Sequence, residues 1–91
     1  MDIETLRKLV AMDEDDALSR FALGQKLAEE GTPEALAEAA EHLGYANQKD
    51  PSHLAAYYQL ASVLIELGRK EEAVPVLKKG IEKTTGVPEN S

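Results

Sequence analysis

Two helical patterns separated by one glycine, in residues 54–81, constrain the fold more than any other part of this sequence. Apolar residues recur every three or four positions on both sides of Gly68, which is the spacing of one face of an α-helix. A glycine at such a break commonly ends a helix. Small and apolar residues keep fixed spacings in the segment, at Tyr57, Leu60, Ala61, Leu64, Ala73 and Leu77. The segment therefore predicts two helices that pack closely against each other.

A weaker copy of this pattern lies earlier in the chain. Residues 20–27 read Arg-x2-Leu-Gly-x2-Leu, and Ala39 and Leu43 follow in the next helical segment. Both copies resemble the tetratricopeptide repeat, a helical hairpin of about 34 residues. The first copy is longer than the family's repeat, and the excess falls between Gly31 and Ala39. The resemblance implies an all-α fold of stacked hairpins, whose inner groove binds peptides or protein segments.

Start and stop signals divide the chain into five predicted helices. A chain of 91 residues suffices for one small hydrophobic core, so we expect a single domain over 1–91. A half-repeat helix in 1–14 precedes repeat units at 15–51 and 52–86, and 87–91 form a tail. The predicted architecture is thus two tetratricopeptide-like hairpins behind one additional helix.

Two features of the predicted helices concern their ends. Asp2 and Ser52 are the predicted N-caps of the first and fourth helices, because short polar side chains accept backbone hydrogen bonds there. Pro75 falls inside the fifth predicted helix, where it removes a backbone donor. We therefore expect the fifth helix to begin late, near Glu71 or Glu72, or to kink at Pro75.

The composition limits the classes of partner. With 17 acidic and 10 basic residues the net charge is −7, which disfavours nucleic acid and anionic membranes. There is no cysteine for a disulfide or a thiolate site. The N-terminus lacks the features of a signal peptide, and the longest uncharged stretch, residues 51–65, is too short to cross a bilayer. We expect a cytoplasmic protein that binds a basic or neutral peptide or protein, and neither nucleic acid nor membrane.

No residue pattern predicts catalysis. The motifs GxSxG and GxxxxGK[ST] do not occur, and those motifs carry nucleophilic and phosphate chemistry. The two histidines, His42 and His53, lie on different elements, and we interpret both as solvent-exposed structural residues. Tyr45 is predicted to be solvated on the convex side. The expected protein is not an enzyme and uses no cofactor or metal.

Helical positions predict that the fourth helix has one unpartnered flank. This flank carries Leu54, Tyr58, Ala61 and Ile65 and faces the place where a third repeat would stack. Repeat arrays normally end in a polar surface, so a bare apolar flank indicates an interaction site. We expect a second copy in a two-fold homodimer, or a partner helix, to cover it. The alternative is that the C-terminal segment folds back and places Val87 there.

A polar strip on the second and fourth helices would line the inner groove that the resemblance implies. It consists of Gln25, Glu29, Gln59, Ser62 and Glu66. The predicted function is a non-catalytic interaction module that binds a partner segment or itself through this groove and the flank of the fourth helix. The alternative is a purely structural homo-oligomerisation unit without a peptide ligand.

Overall fold

The described part of the chain folds into five helices. The computed structural model describes residues 1–86, and every regular element in that range is an α-helix. In chain order these are α1 (Ile3–Met12), α2 (Ala17–Glu30), α3 (Pro33–Lys49), α4 (Leu54–Glu66) and α5 (Lys70–Thr85). The predicted all-α fold with five helices is confirmed. The predicted tail and the folding back of Val87 lie outside the described residues.

Polar side chains begin α1 and α3. The backbone N–H of Thr5 donates to the Asp2 carboxylate at 2.8 Å, as the sequence predicts. The hydroxyl of Thr32 accepts from the N–H of Ala35 at 3.2 Å. Just before Thr32, α2 ends at Gly31, whose φ of 73° lies in the left-handed region. Glycine adopts that conformation without a steric penalty, so the sharp turn between α2 and α3 follows from the sequence.

The start of α4 differs from the prediction. His53, and not Ser52, holds the N-cap position, and its side chain makes no capping hydrogen bond. The N–H and the hydroxyl of Ser52 instead donate to the Asp50 carboxylate at 3.1 and 2.6 Å. These bonds hold the pKa of the Asp50 carboxyl below its usual range. A local turn that involves the Ser52 side chain therefore forms two residues before α4 begins at Leu54.

Pro75 lies within α5, which begins at Lys70, one residue before the predicted start near Glu71 or Glu72. The alternative, a kink at Pro75, stays a prediction. The missing donor at Pro75 would otherwise bond the carbonyl of Glu71. Pro75 and Glu71 are both exposed, and water can satisfy a carbonyl at an exposed position. The helix consequently tolerates an internal proline better than a buried helix would.

The helices pack as two hairpins in sequence. The first hairpin is α2 with α3, the second is α4 with α5, and α3 packs against α4 between them. The additional helix α1 packs against α2. Aliphatic side chains and alanines fill the core, and its largest fully buried members are Leu23, Leu27, Leu43 and Val63. Within residues 1–86, α3 and α5 do not pack against each other, which leaves a cleft between them.

An ion pair connects α1 to α3. The Arg7 guanidinium donates two hydrogen bonds to the Glu38 carboxylate, one of them at 3.0 Å. These bonds hold the pKa of the Glu38 carboxyl below its usual range, and His42 contributes to the same direction. Together with the burial of Leu6 and Val10, the pair fixes α1 to the first hairpin.

This pair gives a pH-dependent prediction. The pKa of Glu38 is depressed in the folded state. The ion pair therefore stabilises the fold fully above the unfolded pKa of about 4.3, and this stabilisation is lost as pH falls through the folded pKa. Glu38→Gln is expected to lower the free energy of unfolding at pH 7 by up to about 1 kcal/mol, since the pair is half-exposed. The difference from the wild type is expected to shrink below about pH 4. Urea unfolding at several pH values measures it.

The matched control is Glu41→Gln, at an exposed position on the same helix. This variant is expected to change the free energy of unfolding by less than about 0.5 kcal/mol, as surface substitutions usually do. Equal losses for Glu38→Gln and Glu41→Gln at pH 7 would contradict a specific role for the pair with Arg7.

Candidate interaction surfaces

An apolar flank of α4 remains exposed in the part of the chain that the structure describes. The exposed fractions are 36% for Leu54, 41% for Tyr58 and 52% for Ile65. Ala61 does not belong to this surface, because it is only 1% exposed and lies in the core. A small side chain at that position is buried where helices approach closely. Three of the four residues predicted on this flank are therefore accessible, and Ala61 is not.

Two residues of α5 extend this surface and were not predicted. Val74 is 42% exposed and Ile81 is 55% exposed, and each follows a buried residue, Ala73 or Gly80. One residue turns a helix by 100°, so Val74 and Ile81 share one flank of α5. The opposite flank, which includes Val76, borders the cleft toward α3. The flank with Val74 and Ile81 therefore lies on the side away from α3.

The same reasoning orients α4. Leu60 and Leu64 border the clefts toward α3, so the exposed flank of α4 also faces away from α3. The two flanks belong to paired helices and form one surface. We call this surface the open edge, and it consists of Leu54, Tyr58, Ile65, Val74 and Ile81. The repeat register was the signal that could have identified the α5 residues from the sequence.

Tyr58 is fixed to α5 on one side only. Its hydroxyl lies 3.0 Å from the Thr84 hydroxyl. A Cβ atom added to Gly80 would lie 3.3 Å from Tyr58 Cζ, so the ring rests on the glycine of α5. Part of the ring is nevertheless accessible. Tyr58 is therefore held in place before any partner binds, which lowers the entropy cost of binding.

The predicted groove residues lie at or near the surface of α2 and α4. Gln25, Glu29, Ser62 and Glu66 are exposed, whereas Gln59 is partly buried. Glu29 differs from the other four, because Lys26 Nζ lies 3.7 Å from its carboxylate. Glu29 also borders a cleft with Asp2 and Ile3, near the start of α1. The strip is thus polar and acidic on average, and its α2 end is partly neutralised by a lysine.

Tyr45 was predicted to be solvated, but it is partly buried. It lies at the centre of a polar cluster. The Arg20 guanidinium carbon lies 4.1 Å from the centre of its ring, and Lys49 Nζ lies 5.6 Å from it. The Tyr45 hydroxyl donates to the Asp15 carboxylate. This bond lowers the pKa of the Asp15 carboxyl and raises that of Tyr45. Arg20 stands where the second copy has Tyr57, and stacking on Tyr45 explains how it fits there.

Both histidines make contacts that the sequence did not predict. The side chain of His42 is only 13% exposed, and its ring nitrogens lie 3.2 Å from Glu38 and 3.3 Å from Arg20. His53 is partly buried, and its ring centre lies 4.3 Å from that of Phe21. The prediction of solvent exposure is therefore wrong for both residues. Their partners lie on other helices, or on the same helix one turn away.

Residues 1–86 contain neither a candidate metal site nor a candidate membrane-spanning helix. In that range no three His, Asp or Glu side chains come together in a way that could hold a metal ion. No helix in the same range is long and apolar enough to cross a membrane.

The family follows from comparison with known proteins. The tetratricopeptide-repeat family model matches residues 32–89, more than half of the chain, and the chain therefore belongs to that family. The match includes α3 and the second hairpin, whereas α1 and α2 precede it. Repeats of this family generally serve as protein–protein interaction modules and are typically not enzymes. No curated protein matches this sequence.

Proposed function

We propose that this chain is a non-catalytic interaction module that binds an amphipathic partner helix on its open edge. The observation that carries the proposal is the grouping of exposed apolar side chains. Five of the eight large exposed hydrophobic residues within 1–86 lie on this one surface. Apolar patches of a few hundred Å² on a monomer often mark a binding site.

The first hairpin supports this proposal by comparison. The surface of α2 and α3 that corresponds to the open edge is covered by the second hairpin. Counting along the repeats, Phe21 corresponds to Tyr58, and Phe21 lies beneath the His53 ring at the start of α4. Likewise Ala40 and Asn47 on α3 correspond to Val74 and Ile81, and both are only 8% exposed. The open edge is thus where a further helix would continue the stacking of α4 on α3.

The chemistry of the partner helix follows from the surface that it would meet. In α4 the face toward the first hairpin carries buried Ala56, Leu60 and Val63, which are spaced by four and three residues. A partner helix needs apolar residues at the same spacing, as in other helix-in-groove complexes. The net charge of −7 favours encounter with a basic or neutral partner.

The polar strip is a second contact surface in this proposal. Gln25, Gln59, Ser62 and Glu66 offer amide, hydroxyl and carboxylate groups at the surface. Such groups suit the backbone of an extended peptide with neutral or basic side chains. Glu29 contributes less negative charge to this surface than a free carboxylate would, because the Lys26 ammonium lies beside it.

Homo-oligomerisation through the open edge is the alternative function. A two-fold dimer would bury the same apolar side chains against their copies. A stable dimer would need an interface of about 800 Å² per partner, which five side chains must largely supply. In addition, each copy would bring a net charge of −7 toward the other, and the two charges repel. The surface charge therefore favours a basic partner over a second copy.

A designed helical peptide tests the proposal. The probe carries leucine at positions i, i+3, i+4 and i+7 and lysine elsewhere. We expect Ile65→Glu to weaken its binding by about tenfold or more, because a carboxylate replaces an apolar anchor. The substitution also makes the chain more negative, which would strengthen a purely electrostatic attraction to the lysines. Fluorescence anisotropy with a labelled peptide measures the affinity.

The matched control is Leu18→Glu, which changes an exposed leucine on α2 to the same residue away from the open edge. This variant is expected to change the affinity by less than about twofold. Equal weakening by Leu18→Glu and Ile65→Glu would argue against the open edge. Sedimentation velocity decides the alternative, since a concentration-dependent dimer that Ile65→Glu dissociates would favour homo-oligomerisation.

A further inference from the structure

The side of the molecule opposite the open edge contains a cleft between α3 and α5. Its volume is about 590 Å³, and Tyr57, Leu60, Val76, Lys79 and Lys83 are among the residues that line it. A neighbouring cleft of about 330 Å³ shares Leu60 and Val76 and continues it along the helices. We call the two together the outer cleft. It has the dimensions of ligand sites in proteins and an elongated form.

A glycine on α3, Gly44, lines this cleft. A Cβ atom added to Gly44 would meet only Leu60 Cδ2, at 4.0 Å. Packing therefore does not require glycine here, in contrast to Gly24, where an added Cβ would lie 2.8 Å from Leu43 Cγ. A glycine inside a helix is less favourable than alanine. A larger side chain at position 44 would therefore enter the cleft without a clash in the core.

One wall of the cleft holds an unpaired hydrogen-bond acceptor. Asn47 lines the cleft and is only 8% exposed. Its Nδ2 donates to the carbonyl of His53 at 3.3 Å, which fixes the orientation of the amide. The Oδ1 atom has no partner among residues 1–86. Buried acceptors are usually satisfied, so this atom is available to accept a hydrogen bond from a molecule in the cleft.

Two lysines give the larger part of the outer cleft a local positive charge, whereas Glu41, Glu72 and Arg69 line the smaller part. Lys79 and Lys83 are one helical turn apart on α5, and both line the cleft. No carboxylate in the described part of the chain forms an ion pair with either lysine. Two adjacent cations beside an apolar wall suit a ligand that carries both apolar and acidic groups.

We propose that the outer cleft binds an extended peptide in which apolar and acidic residues alternate. An apolar side chain packs between Leu60 and Val76, and the neighbouring carboxylates pair with Lys79 and Lys83. A backbone N–H of the peptide donates to Oδ1 of Asn47. This site differs from the open edge in position and in the charge of its ligand. A protein with both sites can hold a basic helix and an acidic strand on opposite sides.

The test uses a labelled peptide in which leucine and glutamate alternate. In one comparison peptide serine replaces each leucine, and in the other lysine replaces each glutamate. At about 0.15 M salt, where charges beyond roughly 8 Å are screened, we expect only the leucine–glutamate peptide to bind in the outer cleft, whereas any binding of the leucine–lysine peptide falls on the open edge or the polar strip. Backbone resonances of Gly44, Asn47 and Val76 are expected to shift in heteronuclear NMR spectra. The open-edge variant Ile65→Glu is expected to leave this binding within about twofold of the wild type.

Two variants locate the site. The double variant Lys79→Gln/Lys83→Gln is expected to weaken binding by about tenfold, and Gly44→Leu by at least as much, because its side chain fills the cleft. The charge-matched control, Lys70→Gln/Lys78→Gln, changes the same helix outside the cleft and is expected to cost less than about twofold.

Three outcomes would overturn the proposal. The first is no binding of the leucine–glutamate peptide up to about 1 mM. The second is an equal loss in the two double lysine variants, which would show non-specific attraction to charge. The third is unchanged affinity in Gly44→Leu with thermal unfolding that shows an intact fold. The failure of this site would leave the open edge untouched, because the two surfaces have separate variants and separate probes.

Discussion

Replacement of Gly24 by alanine is expected to lower the free energy of unfolding by about 1–2 kcal/mol. The added methyl would lie 2.8 Å from Leu43 Cγ and 3.3 Å from the carbonyl oxygen of Ala39. Leu43 is fully buried, so neither its branch carbon nor the backbone of α3 can move aside freely. Overpacking costs about 1–3 kcal/mol, and the upper part of that range, about 2–3 kcal/mol, applies here because both neighbours are held in place. The higher helix propensity of alanine offsets about 1 kcal/mol of that cost.

The control for this prediction is the same substitution at Gly44. There the added methyl meets only Leu60, at an ordinary contact distance. Gly44→Ala is expected to raise the free energy of unfolding by up to about 1 kcal/mol, from helix propensity alone. Urea unfolding of the two variants measures the contrast, which we expect to be about 2–3 kcal/mol. A Gly24→Ala variant as stable as Gly44→Ala would show that α2 and α3 do not approach as closely as described.

The sequence predicted most of the fold, because its signals are local. The predicted N-cap Asp2 begins α1, and the break predicted at Gly68 separates α4 from α5. The signal failed where two local effects competed. Ser52 is a good N-cap residue by type, but the Asp50 carboxylate accepts both of its donors. Pro75 similarly predicted that α5 begins late or kinks. The helix nevertheless begins at Lys70, since Pro75 and the carbonyl that it leaves unpaired lie at an exposed position.

The candidate sites depend on contacts between distant residues, and the sequence predicted them less completely. The flank with Leu54, Tyr58 and Ile65 was found from α4 alone, since helical spacing determines a face. Val74 and Ile81 were missed because their place on the same surface depends on how α5 pairs with α4. The outer cleft could not be found from either helix alone, since it arises where α3 and α5 leave a space.

The polar cluster shows the same limit. Tyr45 receives a cation from α2 and a carboxylate from the turn before α2, and both are more than twenty residues away in sequence. On its own helix Tyr45 lies among polar residues, which led to the prediction of a solvated side chain. Only the packing of α2 on α3 brings Arg20 above the ring. Arginine can replace an aromatic residue at that position because its planar group stacks on tyrosine.

The largest loss of stability is expected from Leu43→Ala. Leu43 has no exposed surface and lies at the contact between α2 and α3. Removal of a buried leucine costs about 2–5 kcal/mol, against a total of roughly 5–14 kcal/mol for a domain of this size. The matched control is Leu18→Ala, at a leucine that is 67% exposed, and it is expected to change stability by less than about 0.5 kcal/mol.

Combination of Leu43→Ala with Gly24→Ala separates close packing from a general loss of core volume. In the Leu43→Ala background the Gly24 methyl no longer meets Leu43 Cγ, so the clash that destabilises the single variant is absent. Gly24→Ala is then expected to raise the free energy of unfolding by up to about 1 kcal/mol, which reverses its sign. The coupling energy from the double-mutant cycle would be about 2–3 kcal/mol. Additive losses would instead place the strain of Gly24→Ala at the Ala39 carbonyl, which is part of the α3 backbone and unaffected by the leucine.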